Sequence, residues 1–166
     1  EASVAAANDG SADTVNLVLG TATASSGADS LTAASGKIDV SLTASDAETI
    51  NVTSQGGANL VNDIDAASLT TLNVSGGKSL SMTSLTNTTL LATVDASGLT
   101  GTAALVMGTN ASTTAGTYTG SAGADTLTGG TKADTITGGA GIDTISGGAG
   151  GDTVHAGAGD DQITGG

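Results

Sequence analysis

The 166-residue chain has no cysteine, no proline, no tryptophan and no phenylalanine, and only one tyrosine. Its basic side chains are Lys37, Lys78, Lys132 and a single histidine, so arginine is missing as well. Without cysteine no disulfide can brace the fold, and thiolate sites for zinc or copper are excluded. With aromatics at 1 %, the chain lacks the usual lining of small-molecule pockets. Three lysines against 16 acids leave a net charge of −13, the opposite of the basic footprint that nucleic acid requires. No apolar run approaches the roughly 20 residues of a membrane-spanning helix. Such acidity is compatible with disorder, but 37 % of the chain is hydrophobic and those residues are patterned. The acids therefore read as cation ligands and solubilising surface.

What the chain has in plenty is glycine, 27 residues of it, and the glycines concentrate in a repeat. From Gly120 the sequence divides into nines: GSAGADTLT, GGTKADTIT, GGAGIDTIS, GGAGGDTVH, AGAGDDQIT, then Gly165 and Gly166. Aspartate returns at Asp125, Asp134, Asp143, Asp152 and Asp161, with an aliphatic two places later at Leu127, Ile136, Ile145, Val154 and Ile163. A fixed short period is the signature of a solenoid. Each unit opens with a glycine-rich turn and closes with a short strand, whose alternation points the aliphatic inward. Two such nonapeptides then make one full coil. Equivalent turns stack at about 4.8 Å. Asp125, Asp143 and Asp161 line one edge, and Asp134 and Asp152 the other.

Stacked carboxylates repel, by roughly 1–3 kcal/mol at about 5 Å. A divalent cation between turns reverses the sign. Calcium suits the donors, because it takes six to eight oxygens in flexible geometry, backbone carbonyls included. The alternative is a calcium-free glycine-rich solenoid.

These units resemble the G-G-x-G-x-D-x-U-x nonapeptides of RTX (repeats-in-toxin) proteins, which form calcium-bound parallel β-rolls. The resemblance implies Ca²⁺ ligation by Asp125, Asp134, Asp143, Asp152 and Asp161. It also implies carbonyl ligands from the turn residues Gly120, Gly129, Gly130, Gly138, Gly139, Gly141, Gly147, Gly148, Gly150, Gly157 and Gly159. At least three sites follow, between Asp125 and Asp143, Asp134 and Asp152, and Asp143 and Asp161. Ser121 and Ala156 replace turn glycines. Lys132 stands at a fourth-position glycine and sets a positive charge beside the Asp134–Asp152 site.

Upstream, Gly36, Gly57, Gly77 and Gly98 recur at a nearly constant interval of about 21 residues, within the range of a solenoid repeat. The alternating segments TINVTSQG, TLNVSG and ATVDASG align Ile50, Leu72 and Ala92, and likewise Val52, Val74 and Val94, with Asn51, Asn73 and Thr93 facing the other way. The pattern predicts strands with one buried face, in coils of about 21 residues. An antiparallel β-sandwich is the alternative for this part. Thr14–Gly20 reads as a strand and Thr21–Ser30 as a loop. The fold expected is all-β: a parallel β-solenoid over residues 1–115, running into an RTX β-roll over 116–166, with Gly108–Gly116 as connector.

Other motifs are weaker. His155 closes its repeat on the outward side of a strand and has no recess in which to act as a base. Asp160 reads as a solvated neighbour of Asp161. Asp63 and Asp65 read as solvated charges, an additional cation site being the alternative. Asn51, Asn73, Asn87 and Asn110 open N-x-[ST] sequences, which this composition supplies by chance.

The chain begins at Glu1 without methionine or signal peptide and stops in mid-repeat, so both ends read as cuts in a longer protein. RTX proteins typically leave the cell in one step (type I secretion) on an uncleaved C-terminal signal, which implies a secreted protein at the extracellular cell surface. The Ser/Thr/Ala/Gly-rich solenoid joined to RTX repeats resembles surface-layer (S-layer) proteins of Gram-negative bacteria. That resemblance implies a structural protein rather than an enzyme, self-association into an array, and attachment to cell-surface polysaccharide through another part of the chain. The alternative is an RTX folding and secretion module of an adhesin, or of a hydrolase whose catalytic domain lies elsewhere.

Overall fold

The computed structural model describes residues 2–5, 13–20, 30–33 and 39–166. Every regular element among them is a β-strand. The strands are β1 (Ala2–Ala5), β2 (Asp13–Leu19), β3 (Ser30–Ala33), β4 (Asp39–Thr43), β5 (Ala47–Ser54), β6 (Asn59–Asp65), β7 (Thr71–Gly76) and β8 (Leu80–Thr86). They continue with β9 (Thr93–Leu99), β10 (Leu105–Asn110), β11 (Thr117–Thr119), β12 (Thr126–Thr128), β13 (Thr135–Ala140), β14 (Thr144–Ser146), β15 (Thr153–Ala158) and β16 (Gln162–Thr164).

Two sheets result, in the orders β1-β4-β6-β8-β10-β12-β14-β16 and β15-β13-β11-β9-β7-β5-β2-β3. All pairings are parallel. From β4 onward successive strands alternate between the sheets, so the chain winds as a β-solenoid. The parallel pairing excludes the β-sandwich. Both sheets run without a break from the upstream coils into the repeats, through the β10–β12 and β9–β11 pairs.

The residues explain the sheets. Most inward positions are aliphatic and most outward ones are Thr, Ser, Asn or Asp, the period-two pattern of a half-buried strand, with Val106 outward and Ser54 and Asn59 inward as exceptions. In the second sheet Thr14, Thr49, Thr71, Thr93, Thr117, Thr135 and Thr153 lie side by side on successive strands. Two places further on, Asn51 Nδ2 donates to Asn16 Oδ1, and Asn73 Nδ2 donates to Asn51 Oδ1, each at 2.8 Å. The expected inward residues Val52, Val74, Val94, Ile136 and Ile145 are buried, and Val154 is partly buried against the same core.

Coil length changes along the axis, and the threonine row measures it. The steps from Thr49 to Thr71 and from Thr71 to Thr93 are equal. The step to Thr117 is slightly longer, and those to Thr135 and Thr153 shorten to two nonapeptides each. Both expected alignments fail at the step from β7 to β9. Leu72 stacks on Val94 rather than on Ala92, so Val94 does not lie beside Val74, and a register shift between Asn73 and Ser75 follows. The glycine spacing that suggests the alignment does not follow the register: Gly76 pairs with Ser54, and Gly98 pairs with Ser75 rather than lying beside Gly77. A two-residue slip keeps the same side chains facing inward, so hydrophobic alternation cannot detect it. The expected loop Thr21–Ser30 lies outside the described residues except for Ser30, which opens β3. Lys37 also lies outside them.

The interior tapers. Upstream coils bury residues such as Leu72, Leu80, Met82 and Leu91, whereas each nonapeptide strand brings one aliphatic. Tyr118 sits at the change and is fully buried. Its hydroxyl presses on the face of Gly116, where no side chain would fit. Burial raises the phenol above its ordinary value. Asn110 and Ser112 are near enough to draw it back in part, yet neither completes a hydrogen bond with the buried Oη. A buried, unpartnered hydroxyl costs about 1–3 kcal/mol. Tyr118→Phe is therefore expected to leave the melting temperature unchanged or raise it by about 2–4 °C. A clear fall in a thermal melt would show that Oη is satisfied in solution.

Candidate metal centre

The nonapeptide units place their aspartates where a turn enters a strand. Asp125 precedes β12, Asp134 precedes β13, Asp143 precedes β14, Asp152 precedes β15 and Asp161 precedes β16. The parallel ladder fixes their backbones. The carbonyl oxygens of Asp125, Asp134 and Asp143 accept from the N–H groups of Thr144, Thr153 and Gln162, each at 2.8 Å. Coils of two nonapeptides then stack Asp125, Asp143 and Asp161 on one edge, and Asp134 and Asp152 on the other.

Each column is stitched through its carboxylates. Asp125 N–H donates to Asp143 Oδ1 at 2.8 Å, and Asp143 N–H donates to Asp161 Oδ1 at 2.9 Å. On the opposite edge Asp134 N–H donates to Asp152 Oδ1 at 2.9 Å. The columns extend upstream onto plain backbone. Leu105 N–H donates to Asp125 Oδ1 at 2.5 Å, and Gly116 N–H donates to Asp134 Oδ1 at 2.7 Å. Asp125, Asp134 and Asp143 are buried. Removal from water raises the Asp143 carboxyl above its ordinary value; the Asp125 N–H pulls it down, and the charges of Asp125 and Asp161 push it up.

The turn residues bring carbonyls to the same place. Gly120, Gly129, Gly138 and Gly147 open their units. At Gly120 the space for a Cβ is crowded by Asp125 Oδ2 and by Gly138 O of the next coil. At Gly129 the crowding atoms are Asp134 Oδ2 and Gly147 O, and at Gly138 they are Asp143 Oδ2 and Ala156 O. Carboxylate and carbonyl oxygens thus converge in every gap between these stacked turns. Gly130, Gly139, Gly148 and Gly157 hold the second positions, and Gly141, Gly150 and Gly159 the fourth.

Among the described residues no three His, Cys, Asp or Glu side chains come together. A cation here must take most of its ligands from carbonyls, as calcium does and zinc does not. One atom asks for such a partner: Asp143 Oδ2 is buried and accepts no hydrogen bond. The donor set therefore fits calcium. The ion would supply charge neutralisation and oxygen cross-links between coils, held by aspartate oxygens that no N–H group occupies, Asp143 Oδ2 foremost, and by the turn carbonyls beside them.

The remaining candidates separate from this centre. His155 and Asp160 are exposed. Asp63 Oδ1 accepts from Thr86 Oγ1, and Asp65 Oδ1 accepts from Asn87 Nδ2 at 2.7 Å, so both belong to a polar ladder on the first sheet. Two contributors carry no signal in the sequence, the backbone donors of Leu105 and Gly116; Ser121 shows there only as a break in the glycine pattern, with no sign that its N–H and hydroxyl serve Asp125.

Comparison with known proteins agrees with this geometry. Residues 119–154 and 137–166 match the RTX calcium-binding nonapeptide repeat. No curated protein and no solved structure matches the chain. The C-terminal segment consists of RTX repeats, a structural fold that binds calcium.

Proposed function

We propose that this chain is a structural, calcium-binding part of a secreted bacterial cell-surface protein of the surface-layer kind. Calcium locks the repeat coils, and copies of the protein associate into an array. The observation that carries this reading is continuity. The RTX coils extend a solenoid of the same two sheets, so the upstream residues prolong a rod. A rod with a polar Thr/Asn face and no aromatic-lined recess suits construction more than catalysis. Calcium is scarce inside a cell and abundant outside. Sites with affinities of roughly 10⁻⁴ to 10⁻³ M would fill only after export. Type I secretion, an address at the cell surface and polysaccharide attachment through another part of the chain belong to the same proposal. Electron microscopy and light scattering, with calcium and in excess chelator, test it. Ordered arrays are expected only with calcium. A protein that stays monomeric at high calcium would remove the surface-array reading.

A further inference from the structure

The five repeat turns adopt two conformations. In the last three units the second residue has φ of 118° at Gly139, 91° at Gly148 and 109° at Gly157. The fourth residue has φ of 114° at Gly141, 135° at Gly150 and 144° at Gly159. In the first two units Ser121, Gly123, Gly130 and Lys132 all stay out of the left-handed region. One non-glycine per turn accounts for this. Ser121 and Lys132 carry side chains that cost roughly 1–2 kcal/mol at left-handed φ. In the first turn the Gly123 N–H donates to Ser121 Oγ at 3.0 Å, which ties the fourth position to the second.

The carboxylates register the difference. Asp125 Oδ2 accepts the Ser121 N–H at 2.5 Å, and the Ser121 hydroxyl lies 2.9 Å from the same oxygen. Asp134 Oδ2 accepts the Gly130 N–H at 2.7 Å. With Leu105 and Gly116 donating to their Oδ1 atoms, both carboxylates are satisfied on both oxygens. Asp143 differs. It is fully buried, its Oδ1 takes the Asp125 N–H, and its Oδ2 has no partner. That oxygen and Ala156 O crowd the same face of Gly138, so it is aimed at the gap before the turn 156–161. A buried carboxylate oxygen without a partner is strongly unfavourable unless a cation or donor meets it.

The geometry points to a division between the turns: 120–125 and 129–134 are metal-independent adaptors, closed by protein donors, and calcium loads at the Asp143–Asp161 gap. Ser121 and Lys132 set this division. The adaptor donors Leu105 and Gly116 belong to the preceding coils, so the first turn on each edge fastens the repeats to the upstream solenoid without metal. This rests on the calcium reading above and narrows it, since two of the five family-position aspartates are already occupied by N–H groups.

Calcium titration of the full chain by calorimetry and equilibrium dialysis tests it. Ser121→Gly and Lys132→Gly each restore a glycine turn, one per edge. Each is expected to bind one more calcium than the parent, and the double variant two more. A parent that binds calcium, with counts unchanged in all three variants, overturns the division and leaves the calcium reading standing. A parent that binds no calcium overturns both. A second pair of variants guards against misfolding. Asp143→Asn is expected to lower calcium affinity by about tenfold or more, and Asp125→Asn to leave it within about twofold, because ligand charge sets affinity at such sites. Equal losses in the two variants would also overturn the division.

Discussion

In excess chelator, the segment from Gly138 to Gly166 is expected to lose its β-structure while the coils before Tyr118 keep theirs. The two parts rest on different physics. Upstream coils bury several large aliphatics each, including Ile50, Leu69, Leu72, Leu80, Met82 and Leu85. A repeat unit turns one aliphatic inward, worth about 1.5–3 kcal/mol when fully buried, since the extra Ile142 faces solvent. Against it stands the ordering of a whole nonapeptide, several of its residues glycines with the most freedom to lose. The last two aliphatics do not reach full burial: Val154 is partly covered and Ile163 is 52 % exposed. Residues 120–166 also hold six aspartates and one lysine, which repel without a cation. Calcium binding only the folded coils shifts this balance by mass action. Hydrogen exchange followed by mass spectrometry resolves the two parts. Protection that persists through 138–166 in chelator would show that the coils stand without metal.

Gly139→Ala is expected to be strongly damaging to the repeats. Gly139 has φ 118°, and a Cβ there would overlap the Ser121 carbonyl oxygen, far inside van der Waals contact. That oxygen accepts the Ala140 N–H at 3.1 Å, so it cannot move without breaking the ladder. Left-handed strain of roughly 1–2 kcal/mol and overpacking of roughly 1–3 kcal/mol act together. The melting temperature in calcium should fall by roughly 5–15 °C. Gly151→Ala is the control, because nothing lies within 4 Å of its added methyl and its φ is ordinary. Equal melting temperatures for the two variants would mean that the turns do not stack as described.

The repeat segment was legible because its chemistry is local. A turn needs glycine, a ladder needs an inward aliphatic, and the period of nine states both, so the two-unit coil and the two aspartate columns followed from residue spacing. The upstream register was less legible. Leu72, Val74, Val94 and Ala96 all face inward, and only the lengths of the intervening bends decide which pair stacks. The two turn conformations were hidden for another reason. Ser121 and Lys132 stood out as departures, but their effect on Asp125 and Asp134 depends on N–H directions that no side-chain list records. The donors Leu105 and Gly116 are backbone groups, and any residue other than proline would supply the same N–H.

The strict alternation of strands between the two sheets gives the repeats a parity. Duplicating one nonapeptide would move every later strand to the opposite sheet and every later aspartate to the opposite column. Duplicating two would restore both, and would lengthen the rod by one strand spacing, about 4.8 Å. Growth of such a chain without rearrangement therefore comes in pairs of units, like a screw thread advanced only by whole turns.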